Sequence, residues 1–296
     1  MNHTTVLLKE TVDALNLTGG ETIVDATLGG GGHSEEILSR NSQVNVIAFD
    51  LDTHALEFAT KRLSKYADRF KAVNENFSAI DEALGKLGIK EVDGFVFDLG
   101  VSSYQIDASG RGFSFLRDEP LAMTLSDNPA KITVTAREVV NEWSEETLAD
   151  IIFGFGEERF ARRIAGRIIE ARAIKPIETS LELADIVSKA IPARFHPKRI
   201  HPATKTFQAI RMAVNAELTA VEQGLAGAWG RLKHGGVMSV ISFHSLEDRT
   251  VKRFAKAKEE AGEAEIVTKR PMGPSDAEIS RNPRSRSAKL RIFKKL

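Results

Sequence analysis

The sequence predicts an α/β fold, a doubly wound parallel sheet into which a mainly helical second domain is inserted. Three observations predict it. Short apolar runs alternate with amphipathic stretches over the first hundred residues, the alternation stops between 107 and 205, and it resumes from 206 onward. Residues 22–28 read as a buried strand, followed by four glycines, Gly29 to Gly32, then His33 and a helical run from Ser34 to Ser39. A second strand, Val44 to Phe49, ends in Asp50 and Asp52. Leu56, Ala59, Leu63 and Tyr66 share one face of the helix that follows. The third strand, Phe70 to Val73, leads to Asn76 and Phe77, and Ser78 with Asp81 has the spacing of a capping box. Val92 to Phe97 is a nearly all-apolar fourth strand that runs into Asp98.

The interruption reads as helices. Leu148, Ile152 and Phe155 share one face, and Phe160, Ile164 and Ile168 another. Thr179 and Glu182 suit a capping box, and Pro192 closes that helix. Phe207, Ile210, Val214, Leu218, Val221 and Leu225 then step by three and four, as one long amphipathic helix would. Gly235 and Gly236 precede a fifth strand, Val237 to Phe243, which His244 ends, and Ser245 with Asp248 caps the next helix. The tail alternates Ala288, Leu290 and Ile292 with Lys289 and Arg291, the pattern of an edge strand with a basic outer face. Residues 1–106 and 206–296 therefore make one discontinuous domain and 107–205 the insertion. Val6, Leu8, Val12 and Leu15 are expected packing positions.

Composition narrows the chemistry. The chain has 296 residues, 41 basic and 41 acidic, with no cysteine. An apolar content of 42% and a charged content of 28% are those of an ordinary globular protein. No apolar run approaches the roughly 18 residues of a membrane helix, and the first eight residues lack the order of a signal peptide. A cytoplasmic protein is expected. Without cysteine there is no disulfide, no thiolate nucleophile and no cysteine zinc site. Among enzymes acting on cytosine, that excludes carbon-5 methylation through a thiolate adduct and zinc-dependent deamination. The zero net charge hides two basic blocks: residues 158–211 sum to +7 and 249–296 to +8. They point to a polyanionic partner such as a nucleic acid, with Arg162, Arg163 and Arg167 in the first block and Arg284 and Arg286 in the second as candidate contacts.

In doubly wound sheets ligands bind outside the carboxyl ends of the strands. Here those ends carry Gly29–His33, Asp50, Phe77 and Asp98, which suits an adenosine cofactor. An acidic residue about 20 positions past the glycines suits two ribose hydroxyls. That much fits a dinucleotide or S-adenosylmethionine equally. The third glycine of a dinucleotide fingerprint is missing, because its position falls on Ser34 or Glu35 in the two registers.

Several longer motifs carry a resemblance. HTTVLLKETV (His3 to Val12), the glycine segment, FDLGVSS (Phe97 to Ser103), RGFSF (Arg111 to Phe115) and GFGEERF (Gly154 to Phe160) are joined by three more. These are HPATKTFQAIR (His201 to Arg211), SFHSLEDR (Ser242 to Arg249) and NPRSRSAKLR (Asn282 to Arg291). Nearly end to end, the chain resembles the ribosomal RNA small subunit methyltransferase H family, also called MraW. The resemblance implies a Rossmann-like domain that transfers methyl from S-adenosylmethionine to the exocyclic N4 of a cytidine in the decoding region of small-subunit (16S) rRNA. By the family's pattern, cofactor contacts fall on Gly31, Gly32, His33, Asp50, Phe77, Asp98 and Gln105. Two departures stand out. Where the family commonly reads PLDMRM, this chain has Ala122 and Thr124 in place of the aspartate and arginine, and Tyr104 replaces a usual proline.

Methyl transfer from a sulfonium calls for no metal, and positioning supplies much of the rate. Oxygen acceptors on the amino group would favour a pyramidal, nucleophilic nitrogen. Asp98, with the carbonyls of Leu99 and Gly100, is the candidate for that role, and His244 is a second catalytic candidate. Phe113, Phe115 and Tyr104 are candidates for stacking an extruded base. Two rivals remain: a nicotinamide-linked oxidoreductase, against which the missing glycine weighs, and an RNA-binding assembly factor that kept the fold without catalysis.

Overall fold

Alternation along the strands sorts the apolar residues onto two faces of one sheet. The computed structural model describes residues 4–197 and 200–296, so His3 of the first motif lies outside them. The chain divides into two compact units. The first, Met1–Gly100 with Leu218–Leu296, contains seven strands: β1 (Thr22–Asp25), β2 (Asn45–Phe49), β3 (Phe70–Val73), β4 (Val92–Asp98), β5 (Leu232–Ser242), β6 (Ala264–Ile266) and β7 (Lys289–Lys295). Their order is β3-β2-β1-β4-β5-β7-β6, with the first five parallel and β7 antiparallel to both neighbours. Val24, Ile47, Phe49, Phe95, Phe97 and Val240 face one way and pack with Val221, Leu225 and Val251 from the helices Glu217–Arg231 and Ser245–Glu260. Ile23, Val46, Ala48, Val96 and Ile241 face the other way, against Val12, Ile37 and Ala59. Both faces are covered, so the strands are apolar on both sides, as parallel strands must be. Each fully buried phenylalanine or leucine contributes about 1.5–3 kcal/mol.

Four expectations need correction. The tail strand is not an edge. β7 is held between β5 and β6, and its basic side is neutralised by Asp248, which accepts from Arg291 Nε at 2.7 Å and Lys289 Nζ at 3.2 Å. The long helix is two helices, Thr204–Val214 and Glu217–Arg231, broken where Ala216 takes a left-handed φ of 46°. Its apolar stripe runs on unbroken because each half serves a different core. No capping box forms at Ser78. Asn76 Oδ1 instead accepts the Ser78 N–H and caps a 3-10 turn, Phe77–Ala79. The cap of Ser245–Glu260 is His244, paired with Glu247 rather than Ser245 with Asp248.

The second unit, Val101–Glu217, is wider than 107–205 because the helix Thr204–Val214 buries Phe207, Ile210 and Val214 in its core. That core also takes Val139, Leu148, Ile152, Ile164, Ile168, Leu183 and Val187 from four further helices. The Thr179–Glu182 capping box forms, with both its hydrogen bonds present. Phe113 is buried in this core, and Phe115 stacks on His201 at 4.6 Å. Among the described residues no helix is long and apolar enough to cross a membrane.

Candidate functional site

Five parallel strands place their carboxyl ends along one edge of the first unit, and short hydrogen bonds tie those ends together. β1 ends in Asp25, which is buried; it accepts the Thr27 N–H at 3.2 Å and the Ser34 hydroxyl at 2.7 Å. Burial raises its carboxyl above the ordinary range, against the pull of those donors. Gly31, at φ 76°, makes the left-handed turn into the helix Gly32–Arg40, a conformation that favours glycine. Gly29 N–H donates to Asp50 Oδ2 at 2.8 Å, so the glycine turn is fastened to the end of β2. Asp50 Oδ1 accepts the Asp52 N–H at 2.9 Å. Burial pushes the Asp50 carboxyl up to about 6, with the two N–H groups opposing it.

At the end of β4, the Asp98 N–H donates to Thr27 Oγ1 at 2.6 Å. Its Oδ2 lies 3.9 Å from His33 Nδ1, while Oδ1 is buried with no hydrogen-bond partner. Burial, and then the charges of Asp25 and Glu247, push this carboxyl up to about 8. Glu247 is itself buried, its Oε2 accepting the N–H groups of Phe243 and His244 at 2.8 and 3.3 Å. His244 closes the same turn: Nδ1 accepts the Glu247 N–H at 3.3 Å and Nε2 lies 3.0 Å from Glu247 Oε1. Phe77 stands edge-on to Phe97 at 5.8 Å. A β-carbon on Gly224 would lie 2.6 Å from Phe77 Cδ2, so only glycine lets that helix approach the ring.

Of the predicted site residues, Gly31, Gly32, His33, Asp50, Phe77, Asp98 and His244 all lie along this edge. Gln105 belongs to the second unit, where it is buried and its side-chain oxygen accepts the Ser102 N–H at 2.9 Å. Arg162, Arg163 and Arg167 are exposed on the helix Ala161–Ile174 of that unit, Arg167 paired with Glu170. Arg284 and Arg286 are exposed in the 3-10 turn before β7. Sequence reasoning passed over Asp25 and Glu247, which set the charge of the site. An aspartate between Val24 and Ala26 in an apolar strand was the available signal for the first.

An unpartnered carboxylate oxygen, with Asp25, Asp50 and Glu247 on the same edge, suits a ligand that is rich in donors and positively charged. S-adenosylmethionine is such a ligand: it has ribose hydroxyls, an ammonium and a sulfonium, and it carries no phosphate that would need the missing third glycine. The strand order, the antiparallel β7, the glycine turn and the acid closing β2 together define a Rossmann-like methyltransferase. The comparisons with known proteins narrow that class. The model of the MraW methylase family matches residues 1–296. Among similar proteins, the ribosomal RNA small subunit methyltransferase H of Sulfurihydrogenibium sp. (strain YO3AOP1) is 47% identical over 296 residues, covering 100% of both chains. The protein of that name from Carboxydothermus hydrogenoformans is 45% identical over 310 residues, covering 100% of this chain and 98% of its own. The chain belongs to the MraW methylase family, and its cofactor is S-adenosylmethionine.

Proposed function

We propose that this protein methylates the exocyclic N4 of a cytidine in the decoding region of small-subunit rRNA, acting in the cytoplasm on RNA held within a small ribosomal subunit. The relatives' shared name supports rRNA of the small subunit as substrate. The observation that carries the chemistry is the buried, unpartnered Oδ1 of Asp98 at the end of β4. The cofactor supplies an electrophilic methyl group on a sulfonium. Asp50 accepts from the ribose hydroxyls, and within the first unit the half-exposed Phe77 with Gly31, Gly32 and His33 shapes the rest of its pocket. Asp98, with the carbonyls of Leu99 and Gly100, holds the N–H groups of the amine and favours a localised lone pair on nitrogen. The cationic cofactor favours the ionised form of this carboxyl, and its raised pKa of about 8 then makes it basic enough to take the proton that the methylated amine sheds. His244 holds the 244–247 turn, and so keeps Glu247 beside Asp98. Arg162, Arg163, Arg167, Arg284 and Arg286 contact RNA phosphates.

The test is methyl transfer from radiolabelled cofactor to unmethylated small subunits and, in parallel, to naked rRNA, with nucleosides identified by mass spectrometry. N4-methylcytidine is the expected product. Label on carbon 5 or on ribose rejects the site chemistry. No transfer to either substrate favours the assembly-factor reading.

A further inference from the structure

Arg159 lies over two phenylalanine rings at once, 4.8 Å from the Phe160 centroid and 4.4 Å from that of Phe195. Arg194 lies 4.8 Å from Phe195, and the two rings are 5.4 Å apart. All four residues belong to the second unit, and two tight turns present them. In the first turn Glu157 takes a left-handed φ of 48°, and the buried Glu158 carboxylate accepts the Phe160 N–H at 2.9 Å. Glu158 is thus turned inward, while Arg159 points out. In the second, the Phe195 N–H donates to the Pro192 carbonyl at 2.8 Å across the 3-10 turn Ala193–Phe195. Phe195 remains 38% exposed, and Arg159 and Arg194 are exposed with it.

The charge here is uncompensated. Elsewhere in the unit several basic side chains have carboxylate partners, as in Arg137–Glu178, Lys175–Glu182 and Lys189–Asp185, and Arg172 and Lys205 donate to backbone carbonyls. Among the described residues Arg159, Arg194 and the neighbouring exposed Arg162 and Arg163 form no ion pair. A guanidinium lying on a ring keeps its in-plane N–H donors for an anion, and ring and guanidinium alike offer flat faces for stacking. An acidic protein partner would answer the charges and leave the rings unused. Duplex RNA presents phosphates but keeps its base faces stacked inside. Unpaired RNA offers both.

We propose that the Phe160–Arg159–Phe195–Arg194 stack binds a single-stranded segment of RNA, a base stacking on it and the flanking phosphates lying on Arg159, Arg162 and Arg163. This rests on the RNA-methylating reading only in taking RNA as the partner. The measurement is fluorescence anisotropy of the full chain with a labelled, unstructured RNA of about a dozen nucleotides and with a duplex of equal length. Phe195→Leu keeps the apolar bulk and removes the ring; it should weaken single-strand binding about fivefold or more and leave the salt slope unchanged. Arg162→Gln with Arg163→Gln should instead flatten that slope by about 1.4. On the wild-type chain, ultraviolet crosslinking to the same RNA should place nucleotide adducts on the peptide containing residues 193–197. Full affinity in Phe195→Leu, or crosslinks confined to other peptides, overturns the proposal. Methyl transfer to small subunits that persists alongside either result leaves the enzymatic reading standing. Its absence in the wild type would reject that reading separately.

Discussion

Thr5 Oγ1 stands 1.8 Å from the point where a β-carbon on Gly32 would sit. The absent side chain at Gly32 therefore makes room for the N-terminal segment, which crosses the glycine turn at that point. Gly32→Ala should force Thr5 aside and destabilise the chain by about 1–3 kcal/mol, the usual range for overpacking. Thr5→Gly added to Gly32→Ala should recover most of that loss, because it removes the obstructing side chain. Thermal unfolding of both variants checks this. A double variant no more stable than Gly32→Ala would show that the contact is not the cause.

Asp50→Ala should weaken S-adenosylmethionine binding by about 1.5–3 kcal/mol, since a carboxylate accepting from hydroxyls is a charge-assisted partner. It also frees the Gly29 N–H, so the glycine turn should loosen. RNA affinity should hold. Titration calorimetry with the cofactor and anisotropy with RNA separate the two readouts, and an unchanged cofactor affinity rejects the ribose assignment.

The raised carboxyl of Asp98 gives a pH dependence with a definite sign. The folded protein keeps this proton up to about pH 8, whereas the unfolded chain releases it near 4. Its contribution to stability is full below about pH 4 and is lost as pH rises through 8, at up to about 1.4 kcal/mol per pH unit. The buried Asp25 adds to it with the same sign. Asp98→Asn should flatten the fall in melting temperature between pH 5 and 8 in the cofactor-free protein. Wild-type affinity for the cationic cofactor should increase over the same window as Asp98 ionises. Parallel melting curves for wild type and Asp98→Asn would remove Asp98 from the buried acid group. Methylation at a near-normal rate in Asp98→Asn would remove it from the reaction.

What the sequence made legible was local or periodic. Buried parallel strands are apolar runs, and the glycine turn and Asp50 follow them in order, so the site edge could be placed before any contact was known. Thr179 and Glu182 are three residues apart, and their cap is a local event. The errors arose where a tertiary partner decides. Lys289 and Arg291 look like an exposed basic face until Asp248, far off in the chain, takes both charges. Phe207 to Leu225 keeps helical spacing through a break, because Asn215 closes the first helix by contacts with residues about ninety positions away. Its Nδ2 donates to the Met123 carbonyl and its Oδ1 accepts the Leu125 N–H, both at 2.8 Å. Periodicity carries no record of such partners. His244 was readable as a strand end, but its role in capping depends on Glu247 turning back to meet it.

That contact with Asn215 also fixes the segment in which this chain departs from its family. Residues 120–125 contain no helix: Pro120 bridges Thr179, Met123 takes a left-handed φ of 54°, and Arg111 Nη1 donates to the carbonyls of Thr124 and Leu125, both at 3.0 Å. Thr124 is buried and Ala122 half-buried. A lone arginine at 124 would place a charge in a buried position close to Arg111, and breaking or stranding a buried charge costs about 3–5 kcal/mol. A lone aspartate at 122 adds an unpaired carboxylate. If the aspartate and arginine of the family's common pattern form a structural pair, Ala122→Asp and Thr124→Arg should each lower the melting temperature. The double change should then recover part of the loss, with a coupling of about 0.5–3 kcal/mol. Strict additivity rejects the pairing. Methylation of small subunits separates structure from chemistry: the wild type should be active with Ala122 and Thr124 in place. Activity that appears only in the double variant would make these positions catalytic and the present chain a binding protein.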